Sequence, residues 1–138
     1  MNQAYYYFVA SLPLLEFDAK PSFSLQEFLK ECRSHMKAKD AQSLQNAVSG
    51  ENTSKVLKNP LVRSWIRFNQ EFRNELALAR ALKAGKDPRG YLRGERIYEP
   101  FLGGVVDQAI KIEDPLAAEK ILDRFRWQRL EDMSFEHY

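Results

Sequence analysis

The sequence predicts an all-α protein, a helical domain built around one long central helix, with a short extended segment at its N-terminus. Three observations predict it. Residues 59–85 repeat the apolar side chains Leu61, Trp65, Phe68, Phe72, Leu76 and Ala79 at intervals of three and four. At ~100° per residue these six fall within roughly 80° of one another, which is the stripe of an amphipathic helix. Phe23-Ser24-Leu25-Gln26-Glu27-Phe28 reads as a capping box inside a hydrophobic staple. Asp114-Pro115 sets a capping side chain before a proline suited to the first helical turn.

The central helix is the most firmly bounded element. Asn59 caps it, Pro60 occupies a position where a missing N–H costs nothing, and Gly85 suits the left-handed residue that closes it. Its length is about 36 Å. Upstream, Tyr5-Tyr6-Tyr7-Phe8-Val9-Ala10-Ser11-Leu12 is aromatic and partly β-branched, so local propensity favours strand. The run is too short to separate a strand from a buried helix, and both readings bury it. An aromatic platform for nucleic acid would need basic residues between the aromatics, and there are none. The capping box then starts a helix at Leu25, with Leu25, Phe28, Leu29, Cys32 and Met36 inward and His35 on the surface. Asp40 is expected to cap a short helix with Ala41, Leu44, Ala47 and Val48 inward, stopped by Gly50. Residues 51–58 read as a polar loop.

Beyond the central helix, Gly85, Gly90 and Gly94 with Pro88 and Pro100 argue for irregular chain over residues 86–99. Gly85 and Gly90 have the spacing of a Walker A loop, but Tyr91-Leu92 stand where Lys-Ser/Thr should be, which rejects a nucleotide site. Residues 101–112 form a short helix with Val105, Val106, Ala109 and Ile110 inward, weakened at its start by Gly103 and Gly104. A last helix covers 116–133. Ala118, Ile121, Leu122, Phe125 and Arg129 follow its period, and Trp127, Leu130 and Met133 stand on neighbouring faces.

With 138 residues the chain is expected to be a single helical domain, long enough to bury a core without disulfides. Phe135 and Tyr138 make a poor solvated tail, so residues 1–138 read as the N-terminal part of a longer protein. A hydrophobic fraction of 44% with 29% charged places the chain in the soluble globular class. The lone Cys32 excludes an intrachain disulfide and makes a reducing compartment the default. The longest apolar run, residues 4–15, is broken by Ser11 and Pro13 and falls short of the ~20 residues of a membrane span. Only Met-Asn-Gln precede it, so it lacks the basic leader of a signal peptide. A cytoplasmic protein without membrane insertion is expected.

The net charge of +2 hides a gradient. Residues 1–59 carry a net +1, residues 60–96 a net +5 and residues 97–138 a net −4. On the helical projection Arg63 and Arg67 lie opposite the apolar stripe, while Arg73 and Arg80 flank it. Arg89, Arg93 and Arg96 lie in the irregular segment, which the glycines are expected to leave free to adapt. These five arginines, Arg63, Arg67, Arg89, Arg93 and Arg96, are the candidate partner-binding residues. Pairing with Glu71, Glu75 and the acidic end of the chain is the plainer use of the same charges. RNA-binding signatures are absent, so a nucleic-acid partner is not favoured.

No reaction class can be assembled. The sequence has no His-Glu-x-x-His, Cys-x-x-Cys or Gly-x-Ser-x-Gly, and its two histidines and one cysteine match no nucleophile motif. Glu119 and Asp123 share a helix face, where solvation is the ordinary fate of such a pair. The chain therefore reads as a non-enzyme with no catalytic residues, cofactor, metal or small-molecule substrate.

Three stretches carry a family resemblance. They are Tyr5-Tyr6-Tyr7-Phe8-Val9-Ala10-Ser11-Leu12-Pro13, then Ser24-Leu25-Gln26-Glu27-Phe28-Leu29, and then Asp114-Pro115-Leu116-Ala117-Ala118-Glu119 leading into Leu122-Asp123-Arg124-Phe125-Arg126-Trp127. Together they resemble an uncharacterised bacterial family encoded beside V/A-type ATPase subunits, which is similar to the C-type stalk component of those ATPases (the d-type component in eukaryotes). The resemblance implies an all-helical, non-catalytic protein without a cofactor. Its implied partners are V/A-type ATPase subunits, and its implied role is in the coupling of the central stalk to the membrane ring. It also implies further helices beyond Tyr138 and carries over no functional residues. The alternative is an independent helical adaptor that binds an acidic protein or RNA through the basic centre.

The capping box gives a direct test. Ser24→Ala is expected to cost about 1 kcal/mol, read as a lower midpoint in urea denaturation.

Overall fold

The computed structural model describes residues 5–50, 58–94 and 100–136, and every regular element among them is helical. The chain divides into two compact units, Met1–Val62 and Arg63–Tyr138.

The first unit contains α1 (Tyr6–Ser11), α2 (Leu25–His35) and α3 (Ala38–Ser49). The aromatic start is a short helix, not an extended segment. A lone strand would leave its N–H and C=O groups unpaired, and no strand is present among the described residues to receive them. Nor is this helix buried, because no residue of α1 is fully covered and Tyr7 is 83% exposed. With less than two turns, α1 engages its unit mainly through one edge. Tyr5, just before it, reaches α3, and the Phe8 ring stacks on His35 at 4.9 Å.

The start of α2 follows the sequence pattern closely. Ser24 Oγ accepts from the Glu27 N–H at 3.1 Å, the Glu27 carboxylate accepts from the Ser24 N–H at 3.2 Å, and the Phe23 and Phe28 rings lie 6.2 Å apart. Cys32 is the fully buried residue of α2, whereas Leu25, in the first turn, is more than half exposed. Burial pushes the Cys32 thiol pKa up, as befits a small hydrophobe. His35 Nδ1 lies 3.0 Å from the Glu31 carbonyl, and no bond joins it to Cys32.

Asp40 does not cap α3. The helix begins two residues earlier, and Lys37, which has no capping side chain, holds the cap position. The Tyr5 hydroxyl ties this turn together in another way. It accepts from the Lys37 N–H at 3.2 Å and donates to the Asp40 carboxylate, bridging the cap backbone to the third helical residue. The Asp40 bond holds the Tyr5 phenol above its ordinary pKa, against the lowering effect of the Lys37 N–H. Gly50 closes α3 at φ 82°, as its position predicts.

The second unit contains most of α4 (Pro60–Lys83), then α5 (Pro100–Ile110) and α6 (Pro115–Glu136). Asn59 Oδ1 accepts from the N–H groups of Leu61 and Val62, so the predicted cap of α4 is present. Its end is a Schellman closure, with Lys86 N–H to Ala81 O at 2.8 Å, Gly85 N–H to Leu82 O at 3.1 Å, and Gly85 at φ 69°. α5 runs through Gly103 and Gly104, whose backbone cost of about 1 kcal/mol each is offset by burial of Leu102, Val106 and Ala109 on one face. Leu102 is wholly buried although only the later residues of this helix were expected inward. Lys83 Nζ donates to the Ile110 carbonyl at 2.8 Å, setting a cation on the last turn of α5. Asp114 Oδ1 accepts from the Leu116 N–H at 3.1 Å and starts α6.

Phe68, Phe72 and Leu76 from α4, Leu102, Val106 and Ala109 from α5, and Leu122 and Met133 from α6 form one buried cluster. Phe72 has no exposed surface. Its ring lies 5.8 Å from Phe68 and is stacked at 6.1 Å on Phe125, with the Arg126 guanidinium 4.4 Å from its centroid. Phe72→Ala is expected to cost roughly 3–5 kcal/mol in denaturant unfolding.

Candidate docking surface

The side of α4 opposite the core is a row of polar positions. Arg63, Arg67, Gln70 and Asn74 recur at i, i+4, i+7 and i+11, and at ~100° per residue they fall within about 60° of one another. A solvated back would leave all four exposed. Instead Asn74 is only 3% exposed, because the chain around Arg93 crosses over it. Asn74 Oδ1 accepts from the Arg93 N–H at 2.9 Å, and Asn74 Nδ2 donates to the Arg93 carbonyl at 2.8 Å. Gln70 Nε2 donates to the same carbonyl at 3.1 Å. The two side-chain amides thus hold both backbone polar groups of one residue of the irregular segment from 19 and 23 residues away.

Gly94 completes this clamp. Its φ of 66° lies in the left-handed region, and a Cβ built there would stand 2.1 Å from Gln70 Nε2. The glycine therefore pins the segment at this point and does not loosen it. The preceding turn is tied as well. Asp87 accepts from the Arg89 N–H at 3.0 Å and pairs with the Arg89 guanidinium at 2.8 Å. That pairing holds the Asp87 carboxyl below its ordinary pKa and raises that of Arg89.

The five candidate arginines fare differently. Arg63 and Arg93 are exposed, and neither has a carboxylate partner among the described residues. Arg67 gives its Nε to Glu71 at 3.2 Å, and its two Nη groups have no partner among the described residues. Arg89 is matched by Asp87. Arg96 lies outside the described residues. Clamping brings Arg93 onto the same side of α4 as Arg63 and Arg67, which sequence spacing did not reveal. Gln70, Asn74 and Gly94 are the residues that sequence reasoning missed. The one available signal was an Asn on the polar side of a helix, facing a glycine-bearing segment.

Part of the charge gradient is used inside the unit. Arg80 lies 3.5 Å from Glu119, and Arg126 pairs with Asp123 at 2.8 Å. Trp127 donates to Glu131 at 3.0 Å and Gln128 to Asp132 at 3.1 Å, so these acidic groups are satisfied along α6 itself. A cavity of about 200 Å³ is lined by Leu76, Ala109, Leu122, Arg80, Lys83 and Glu119, among others. It is smaller than the roughly 300–1,000 Å³ of ordinary ligand pockets. Among the described residues no His, Cys, Asp and Glu side chains gather as a metal site, and no helix is long and apolar enough to cross a membrane.

No family model matches the chain, and neither a curated protein nor a solved structure is significantly similar to it.

The clamp is open to a single-residue test. Gly94→Ala is expected to cost about 1–2 kcal/mol in thermal or urea unfolding, from the left-handed backbone that Ala resists. In NMR spectra it should also shift the side-chain amide signal of Gln70.

Proposed function

We propose that this chain is a non-catalytic subunit or assembly factor of a bacterial V/A-type ATPase, similar to the C-type stalk component and acting in central-stalk coupling. It docks an acidic surface of the complex through the arginines on the back of α4. The observation that carries the reading is the resemblance at residues 5–13, 24–29 and 114–127. Those stretches hold the Tyr5 bridge to α3, the capping box of α2 and the first turns of α6, so the likeness falls on residues that build helices. An all-helical architecture is what that likeness implies, and this supports the reading. Arg63 and Arg93, exposed and without a carboxylate partner among the described residues, suit a charge-steered encounter.

Purified V/A-type ATPase subunits offered to this chain over a salt series test the proposal. Binding is expected, weakening as salt rises, because exposed charges are screened beyond ~8 Å at physiological ionic strength. Reversal of Arg63 to Glu should slow association more than it speeds dissociation and should change folding by no more than about 0.5 kcal/mol, whereas reversal of Arg67 also sets a like charge beside Glu71 and should lower stability. Salt-sensitive binding to RNA alone would replace this reading with the helical adaptor.

A further inference from the structure

The end of α4, the end of α5 and the start of α6 line the cavity of about 200 Å³. Leu76, Arg80 and Lys83 stand at i, i+4 and i+7, so at ~100° per residue they share one face of α4. That face changes character along its length. Leu76 forms the floor with Ala109 of α5 and Leu122 of α6, and none of the three is more than 7% exposed. Arg80 and Lys83, about one and two turns further on, carry their charges at the exposed mouth, with Glu119 of α6 beside Arg80.

The two cations are engaged only in part by the protein. Arg80 reaches Glu119 with one nitrogen at 3.5 Å, longer than the roughly 2.7–3.2 Å usual for such a bond. Lys83 gives one N–H to the Ile110 carbonyl at 2.8 Å, and an ammonium group has three. That bond also covers the negative end of α5, while Pro115 sets the positive end of α6 on the cavity wall. Two cations against one carboxylate leave the mouth with a net charge of +1.

We infer that this cavity is a binding site for a short aliphatic carboxylate, its chain on Leu76, Ala109 and Leu122 and its head on Arg80 and Lys83. Charge and size argue for that occupant. One carboxylate cancels the net charge of the mouth, whereas an amine is repelled by it and an alcohol leaves it standing. Arg80 and Lys83 lie about 4.5 Å apart along the helix axis, a separation that the two oxygens of one carboxylate can serve. Three aliphatic side chains suit a saturated chain and offer no polar group to orient a sugar or a base. An apolar cavity of roughly 150 Å³ takes a six-carbon ring, so the one here takes a chain of about six carbons. The site lies on the opposite side of α4 from Arg63 and Arg67, and it stands or falls apart from the docking proposed for them.

The test is an NMR titration of the 138-residue chain with hexanoate, read at the methyl signals of Leu76, Ala109 and Leu122. Hexanoate should shift them saturably at millimolar concentrations, as befits so small a ligand. Hexanol and hexylamine, which carry the same chain, should bind about three- to ten-fold more weakly or not at all. From acetate through butyrate to hexanoate, affinity should rise by up to about four-fold per buried methylene. Arg80→Gln and Lys83→Gln should each weaken hexanoate about three- to ten-fold. Glu119→Gln should tighten it about two-fold, because the anion no longer shares Arg80 with a carboxylate. All three positions are exposed, so these variants should fold. Equal binding of hexanoate and hexylamine overturns the inference, and so does hexanoate binding that ignores both Arg80 and Lys83. Tighter binding of norleucine, which adds an ammonium group to the same chain, overturns it in favour of a free amino acid held also by Glu119. Hexanoate that gives no saturable shift at these methyl groups overturns it outright.

Discussion

The second unit depends on the burial of Phe72. Its ring is the one aromatic of α4 with no exposed surface, and it meets Phe68 on its own helix and Phe125 on α6. An aromatic side chain of this size contributes more through area removed from water than any single hydrogen bond nearby. It also ties α6 to α4, because Phe125 and Arg126 pack on that ring. The Arg126 guanidinium closes one face of the stack while its other edge pairs with Asp123, so a charged residue seals an apolar contact without losing its counter-ion. Arg129 repeats the arrangement more loosely over Phe68 at 5.8 Å.

Once the stripe of α4 faces the core, its opposite side is left with polar groups, and the chain uses two of them to solve a different problem. A segment rich in glycine and proline has few hydrogen bonds of its own, and every backbone group it buries needs a partner. Asn74 presents one donor and one acceptor in the geometry of a peptide unit, so it can pair with both polar groups of Arg93 at once. Gly94 suits this place because its positive φ strains other residues and a Cβ there would push the Gln70 amide aside. Core and clamp are therefore on opposite sides of one helix, and the orientation of the first dictates where the second can form.

What the sequence makes legible is what is encoded within four residues. Ser24 with Glu27, Asn59 with Pro60, Asp114 with Pro115 and the closing Gly50 and Gly85 all act where their local pattern places them. The apolar stripe of α4 is legible for the same reason, since helical periodicity is local. Failures of prediction occur where the partner is distant in sequence. Asp40 has the composition of a cap but is claimed by Tyr5, 35 residues away, and the cap position moves to Lys37. Strand propensity at residues 5–12 is overridden because no neighbouring strand exists among the described residues to complete a ladder. The clamp joins residues 19 and 23 apart through amide side chains that have no periodic signature.

Counting charge by segment, as a sequence invites, misstates what residues 60–96 have to offer a partner. Arg89 pairs with Asp87, Lys83 sits on the end of α5, and Arg80 faces Glu119, so each of these cations has a partner within the protein. Among the described residues, Arg63 and Arg93 have no carboxylate partner, and Arg67 is engaged through Nε. These arginines are placed by different means. Arg63 and Arg67 are fixed by the helix that carries Phe72, and Arg93 is fixed to that same helix by Asn74 and Gln70. The apolar core and the backbone of Arg93 are thus both set against one helix, on its two sides.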